Sequence, residues 1–190
     1  MSPSDACSVC SADHAGWLAT PVRRLITDPR RLLKGLAGPG DTVADLGCGP
    51  GYFTLPLAEA VGDVGRVIAV DLQAAMLDKV RERAARSGLL GRIRLQQCSA
   101  DSLGLGGVAA IDFALAFWMV HEVPDAAHFL AEVCAALRPG GRFLLVEPRG
   151  HVGQAAWRRT VQAAEAVGLS VVERRRVAIS RAALLERPAT

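Results

Sequence analysis

Residues 42–51 narrow the fold class sharply. The apolar segment Thr42–Leu46 runs into Gly47-Cys48-Gly49-Pro50-Gly51 and then, with no spacer, into a helical pattern over Tyr52–Val61. Three glycines in so short a loop let the backbone turn hard and approach a ligand with no Cβ in the way. The same strand-then-helix order then repeats. Arg66–Val70 predicts a strand and Ala74–Arg86 a helix, with Met76, Leu77 and Val80 at helical spacing. Ile93–Gln97 alternates as a strand, and Ile111–Phe117 is nearly all apolar, as in a parallel strand covered on both faces. Asp125 stands as the N-cap of a helix that runs through Leu137 and ends at Pro139-Gly140-Gly141. Arg142–Glu147 predicts a further buried strand, and Val152–Val167 a helix halted by Gly168. Ser170–Ile179 and Ala182–Glu186 close the chain as a strand pair. This order predicts an α/β fold, a doubly wound and mostly parallel seven-stranded sheet with a C-terminal antiparallel hairpin.

The region before the first strand has a different character. Residues 1–13 are small and polar, and His14–Leu36 is a helical stretch broken at Pro21 and Pro29. Gly38-Pro39-Gly40 punctuates the chain. The expected organisation is an N-terminal arm and helical lid over 1–40, followed by one globular domain over 41–190.

Composition excludes several classes. With 190 residues, 51% of them hydrophobic, the chain is long enough for one packed domain and too apolar to be disordered. The net charge of +3 is mild and the arginines are scattered, which predicts no nucleic-acid partner. Their only run, Arg174-Arg175-Arg176, reads as a solvated strand end. The longest apolar run, Phe113–Val120, is far short of the roughly 20 residues a membrane-spanning helix needs. No Lys or Arg precedes Arg23, so a signal peptide's basic start is missing. The five cysteines are spread rather than paired, which fits a reduced, cytoplasmic protein.

Two acids give the glycine loop its meaning. A dinucleotide fingerprint would place a third glycine where Tyr52 stands, and Asp45 just before the loop would repel a pyrophosphate. An acid there suits a cationic ligand group, so a nicotinamide-dependent oxidoreductase ranks last. Asp71, ending Val67-Ile68-Ala69-Val70-Asp71, stands where a carboxylate can accept both hydroxyls of a ribose.

From about Asp41 onward the chain resembles the class I S-adenosylmethionine-dependent methyltransferases, in the small-molecule branch that includes the ubiquinone/menaquinone C-methyltransferases. The resemblance rests on VADLGCGPGYFT (43–54), VIAVDLQAAML (67–77), CSADSLGL (98–105), FALAFWMVHEVPD (113–125) and LRPGGRFLLVEP (137–148). It implies a Rossmann-like domain that uses S-adenosylmethionine. By the resemblance, Asp45 holds the amino group of the methionine moiety, lined by the backbone of Gly47, Cys48, Gly49 and Gly51. Asp71 takes the ribose hydroxyls, and Leu72 and Met76 flank the adenine. Tyr52, Ala100 and Phe117 complete the cofactor's surroundings. The family's usual Gly-Asp-Ala-Glu is here Cys98-Ser99-Ala100-Asp101, so either the Ser99 hydroxyl substitutes for the missing acid or Asp101 turns inward.

In an open α/β sheet the fourth strand ends over the ligand crevice, so the chemistry is expected in Phe117–Asp125. His121 is the candidate base, because an unperturbed imidazole titrates near neutral pH. Glu147, at the tip of the next strand, is the second candidate, as base or orienting group. Trp17, Trp118 and Met119 are the expected substrate contacts, with Phe53 and Trp157 as further apolar candidates, which favours a small apolar or aromatic acceptor. No Asn/Asp-Pro-Pro-Tyr motif stands at this strand end, which argues against DNA adenine or protein glutamine. Two other readings stay open: a non-catalytic S-adenosylmethionine-binding subunit, and a metalloid or thiol methyltransferase using Cys7 and Cys10 beside His14. A single Cys-x-x-C with one histidine is short of a metal site, so no metal is expected. The chain is expected to act as a monomer or homodimer.

Overall fold

The structure is a computed structural model that describes residues 27–108 and 110–189. Trp17, Cys7, Cys10 and His14 lie outside the described residues. Seven strands form one sheet: β1 (Thr42–Leu46), β2 (Arg66–Asp71), β3 (Ile93–Gln97), β4 (Ile111–Phe117), β5 (Leu137–Pro148), β6 (Ser170–Arg175) and β7 (Ser180–Glu186). Their order is β3-β2-β1-β4-β5-β7-β6. The first five pair in parallel, and β7 runs antiparallel between β5 and β6. The strands with alternating or continuous apolar character are therefore where sequence pattern places them.

Strand alternation sorts the core onto the two faces of this sheet. Val43, Phe113, Leu115, Leu144 and Val146 point to one face, and Ala44, Leu46, Ala114, Phe143 and Leu145 to the other. Helices α1 (Pro29–Leu33), α2 (Thr54–Val61) and α3 (Ala74–Arg86) cover the first face through Leu33, Leu57, Val61, Leu77 and Val80. Helices α4 (Ala126–Ala136) and α5 (Gln154–Ala166) cover the second through Leu130, Val133, Trp157 and Val161. Burial on both faces is why β4 carries no polar alternation. None of the described helices is long and apolar enough to cross a membrane.

Several boundaries differ from the sequence pattern. Helix α2 begins at Thr54 rather than Tyr52, because Gly51 at φ 84° holds the chain in a turn through Phe53. Strand β5 continues back through Pro139-Gly140-Gly141 to Leu137 instead of starting at Arg142. A shift in its register with β4 lies between Ile111 and Phe113, and Arg187 bonds backbone-to-backbone with Gly140 and Gly141. Strand β6 stops at Arg175, leaving 176–179 as a turn into β7. Trp157 is a core residue of the second face, 4% exposed, and does not reach the crevice.

The described end of the N-terminal segment is tied into the body. Leu33 and Leu36 are buried in the first-face core. Arg142 donates to the carbonyls of Gly35 and Leu36, and Arg175 to that of Leu32.

Candidate active site

Strand order reverses between β1 and β4, and a doubly wound sheet opens its ligand crevice at that point. Register aligns the two strand ends, Leu46 opposite Ala116, so the glycine loop and the Phe117–Asp125 loop leave the sheet side by side. Between them lies a cavity of about 1090 Å³.

The wall on the glycine-loop side is built by backbone N–H groups that fold the loop over β2. Cys48 N donates to Val70 O at 3.0 Å, and Gly49 N to Asp71 Oδ2 at 2.8 Å. The other Asp71 oxygen accepts Gln73 N at 2.9 Å. Burial pushes the Asp71 carboxyl up from its ordinary range, while the backbone donors of Gln73, Gly49 and Leu72 pull it back. Asp45, 2% exposed, accepts the Thr54 hydroxyl at 2.6 Å. Two glycines here have specific work. Gly49, at φ 51°, would direct a Cβ into open space, and a Cβ on Gly47 would sit 2.9 Å from Met119 Cγ. The donor set fits an adenosyl amino acid: a buried carboxylate for an ammonium, backbone with no side chain in the way, and a strand-end carboxylate for a diol.

Of the cofactor residues expected from sequence, Asp45, Gly47, Cys48, Gly49, Tyr52 and Asp71 line this cavity. Leu72, Met76, Ser99, Ala100, Asp101 and Phe117 line it too. Gly51 is not on the wall; a Cβ there would press on Leu55 and Val80, so it packs the loop against α2 and α3. The Tyr52 hydroxyl donates to Thr27 O at 2.8 Å. At 98–101 the two candidate residues bond to each other, both exposed. Ser99 Oγ donates to Asp101 Oδ1 at 2.6 Å, which holds Asp101 below the usual carboxylate range.

The opposite wall carries His121 and Glu147 as a pair. His121 Nδ1 lies 2.5 Å from Glu147 Oε2, and Glu147 Oε1 accepts Val120 N at 2.9 Å. Glu147 is 1% exposed and meets the cavity only through the imidazole. With Nδ1 donating to this carboxylate, Nε2 is the nitrogen left to take a proton. Glu122 Oε1 stands 3.9 Å from Nε2, and the His151 ring is 5.8 Å from that of His121. The Glu147 bond raises the His121 pKa above its ordinary value, against a lowering by burial.

A pH dependence of stability follows. The folded-state value is raised, so the pair's contribution is fully present below the ordinary imidazole value of about 6.5. It is lost as pH rises through the raised value. Melting temperature followed from about pH 5 to about pH 9 is expected to fall more in the wild type than in His121→Ala. Parallel profiles would remove the coupling.

Sequence reasoning missed His128 and Glu132, which line the cavity from α4. Glu132 accepts Ser102 Oγ and Leu103 N, both at 2.8 Å, and so pins the loop that carries Ser99 and Asp101. Their four-residue spacing on an otherwise apolar helix was the available signal. Ile179 also lines the cavity, and no local pattern marks it. Trp118 and Met119 are both on the wall. The thiols Cys48 and Cys98 are there as well, but burial pushes Cys98 up to about 11 and Cys48 well above its ordinary value, which favours the protonated form of both. No group of three or more metal-ligating side chains occurs among the described residues.

A family model described as "Methyltransferase domain" matches residues 43–141. Among curated proteins, a 37.1 kDa transposon protein of Streptomyces fradiae is 38% identical over 112 residues, covering 59% of this chain and 31% of its own. A ubiquinone/menaquinone biosynthesis C-methyltransferase of Francisella philomiragia is 32% identical over 108 residues, 57% of this chain and 43% of that protein. The chain thus spans less than half the length of these relatives. A crystal structure of an S-adenosylmethionine-dependent methyltransferase from Aquifex aeolicus shares the fold, with TM-score 0.83, 23% identity and coverage of 93% of this chain and 98% of that one.

Proposed function

The chain belongs to the methyltransferase domain family, and on that premise we propose that it transfers a methyl group from S-adenosylmethionine to a small apolar or aromatic acceptor. One observation carries the reading. A single cavity has the Asp71–Gly49 cradle on one wall and the His121–Glu147 pair on the other. Relatives named for ubiquinone and menaquinone biosynthesis support a flat, ring-bearing acceptor.

Asp71 would hold the ribose diol, Asp45 the ammonium, and the Ser99–Asp101 pair the adenine edge, with Leu72 and Met76 beside the ring. When bound, the cofactor supplies a methyl carbon on a sulfonium sulfur, already activated for in-line displacement. The protein's task is then to orient the acceptor and exclude water. Phe53, Phe117 and Trp118 supply the apolar side; ring centroids are 4.6 Å apart for the first pair and 5.1 Å for the second. His121 Nε2 takes the proton the acceptor loses. Glu147 fixes the imidazole's tautomer and steadies its charge, as a buried carboxylate does for a general base.

Calorimetric titration with S-adenosylmethionine and, separately, with NADH tests the assignment. Micromolar binding of the first and none of the second is expected. Binding of NADH alone would overturn it.

A further inference from the structure

Among the described residues, Trp118 at φ 62° and Ile179 at φ 52° are the non-glycine residues in the left-handed region. Both line the same cavity. Side chains of this size are sterically disfavoured there, and a branched one most of all. Such outliers cluster where function requires them.

Trp118 is held by bonds that compensate it. Its N donates to Val146 O at 2.8 Å, and its indole Nε1 to Ser180 Oγ at 2.9 Å. Ser180, 1% exposed, passes the bond on to Ala178 O at 3.1 Å. Arg149 reaches the same turn twice, N to Ile179 O and Nε to Ser180 O, each at 2.9 Å. The turn between β6 and β7 is thereby bolted to the exits of β4 and β5, the strands that carry His121 and Glu147.

Among the described residues Ile179 has no comparable return. Its side chain is 58% exposed, one of the few large apolar groups in water. Glycine would accept its φ without strain. An apolar side chain held against its conformational preference at a cavity wall, and more than half exposed among the described residues, is placed to be covered by what fills the cavity.

We infer that Ile179, together with the indole of Trp118 latched by Ser180, forms the wall that receives the flat apolar face of the methyl acceptor. The β6–β7 turn is then a specificity element of the site. The acceptor class is an aromatic ring bearing a hydroxyl, its face on Ile179 and Trp118 and its proton within the domain of His121. This rests on the methyl-transfer reading above and adds to it the surface that selects the acceptor.

The probe is 2-naphthol, titrated calorimetrically into protein saturated with S-adenosylhomocysteine. Ile179→Gly removes the side chain and relaxes the backbone; Ile179→Leu keeps apolar bulk without the branch at Cβ. The glycine variant is expected to melt at or above the wild-type temperature and to keep its S-adenosylhomocysteine affinity. It is expected to bind 2-naphthol about tenfold more weakly, while the leucine variant stays within about threefold of wild type. Unchanged naphthol affinity in Ile179→Gly overturns the inference, as does a loss of stability in that variant. Wild-type protein that binds S-adenosylhomocysteine but not 2-naphthol overturns it too, and leaves the methyl-transfer reading standing. Failure to bind S-adenosylhomocysteine sinks both.

Discussion

Replacing His121 with alanine is expected to lower methyl transfer to a phenolic acceptor by about a hundredfold to ten-thousandfold, the usual contribution of a positioned general base. Affinity for S-adenosylmethionine should stay within about twofold, since no bond of His121 reaches the glycine loop or Asp71. The wild-type rate should rise with pH as Nε2 loses its proton, with a midpoint above the ordinary imidazole value, because Glu147 raises it. Among the described residues, Glu122, His151 and Glu147 are the titratable groups recorded against that ring, so the limb must be compared with the variant's own profile. Removing the imidazole should abolish the limb. Glu147→Gln is the companion measurement: the amide keeps its volume and can still accept Val120 N, yet it no longer enforces the tautomer. A His121→Ala enzyme within threefold of wild type would remove the base from the mechanism.

The second large effect concerns the cofactor wall. Asp71→Ala is expected to weaken S-adenosylmethionine binding at least tenfold, about 1.4 kcal/mol, measured by calorimetry. Losing the diol's acceptor is only part of the cause. The carboxylate also receives Gly49 N from the glycine loop and Gln73 N ahead of α3, so its removal takes a partner from two half-buried backbone donors. Each such loss costs about 1–3 kcal/mol, and the glycine loop should loosen along with the affinity. Asp71→Asn separates the two contributions, because one amide oxygen can hold one of the backbone bonds. An unchanged affinity in Asp71→Ala would dismiss Asp71 as a cofactor ligand.

The strands of this protein were legible because each is decided by its own residues. Thr42–Leu46, Ile93–Gln97 and Ile111–Phe117 have the bounds that alternation or continuous apolarity marks, and Ala74–Arg86 those of its helical spacing. Asp45, Asp71 and the glycines were legible for a related reason: a strand end followed by glycine is a local signature. What failed to show was decided across the sheet. Pro139-Gly140-Gly141 reads as a stop, yet Arg187, just past the neighbouring strand β7 and distant in sequence, bonds Gly140 and Gly141 into the β5 ladder. Trp157 and Trp118 look alike in sequence; one lies under α5 in the core and the other hangs on Ser180, 62 residues away. Ile179 owes its position to Arg149 and Ser180, and no window of local sequence contains that information.

The connection between β3 and β4 gives the cavity two walls of unequal firmness. Residues 98–108 bury Leu103 and Leu105 on the second face and rest Cys98 and Val108 against it half-buried, and Glu132 holds the segment by two bonds. Fewer buried apolar groups mean that local opening costs less there than in β4 or β5. The rim at Ser99–Asp101 is therefore the compliant side, and the wall bearing His121 is the stiff one. A ligand docking from the rim would tighten the yielding half onto it while His121 keeps its place, so the two walls answer a ligand as mechanically separate parts of one domain.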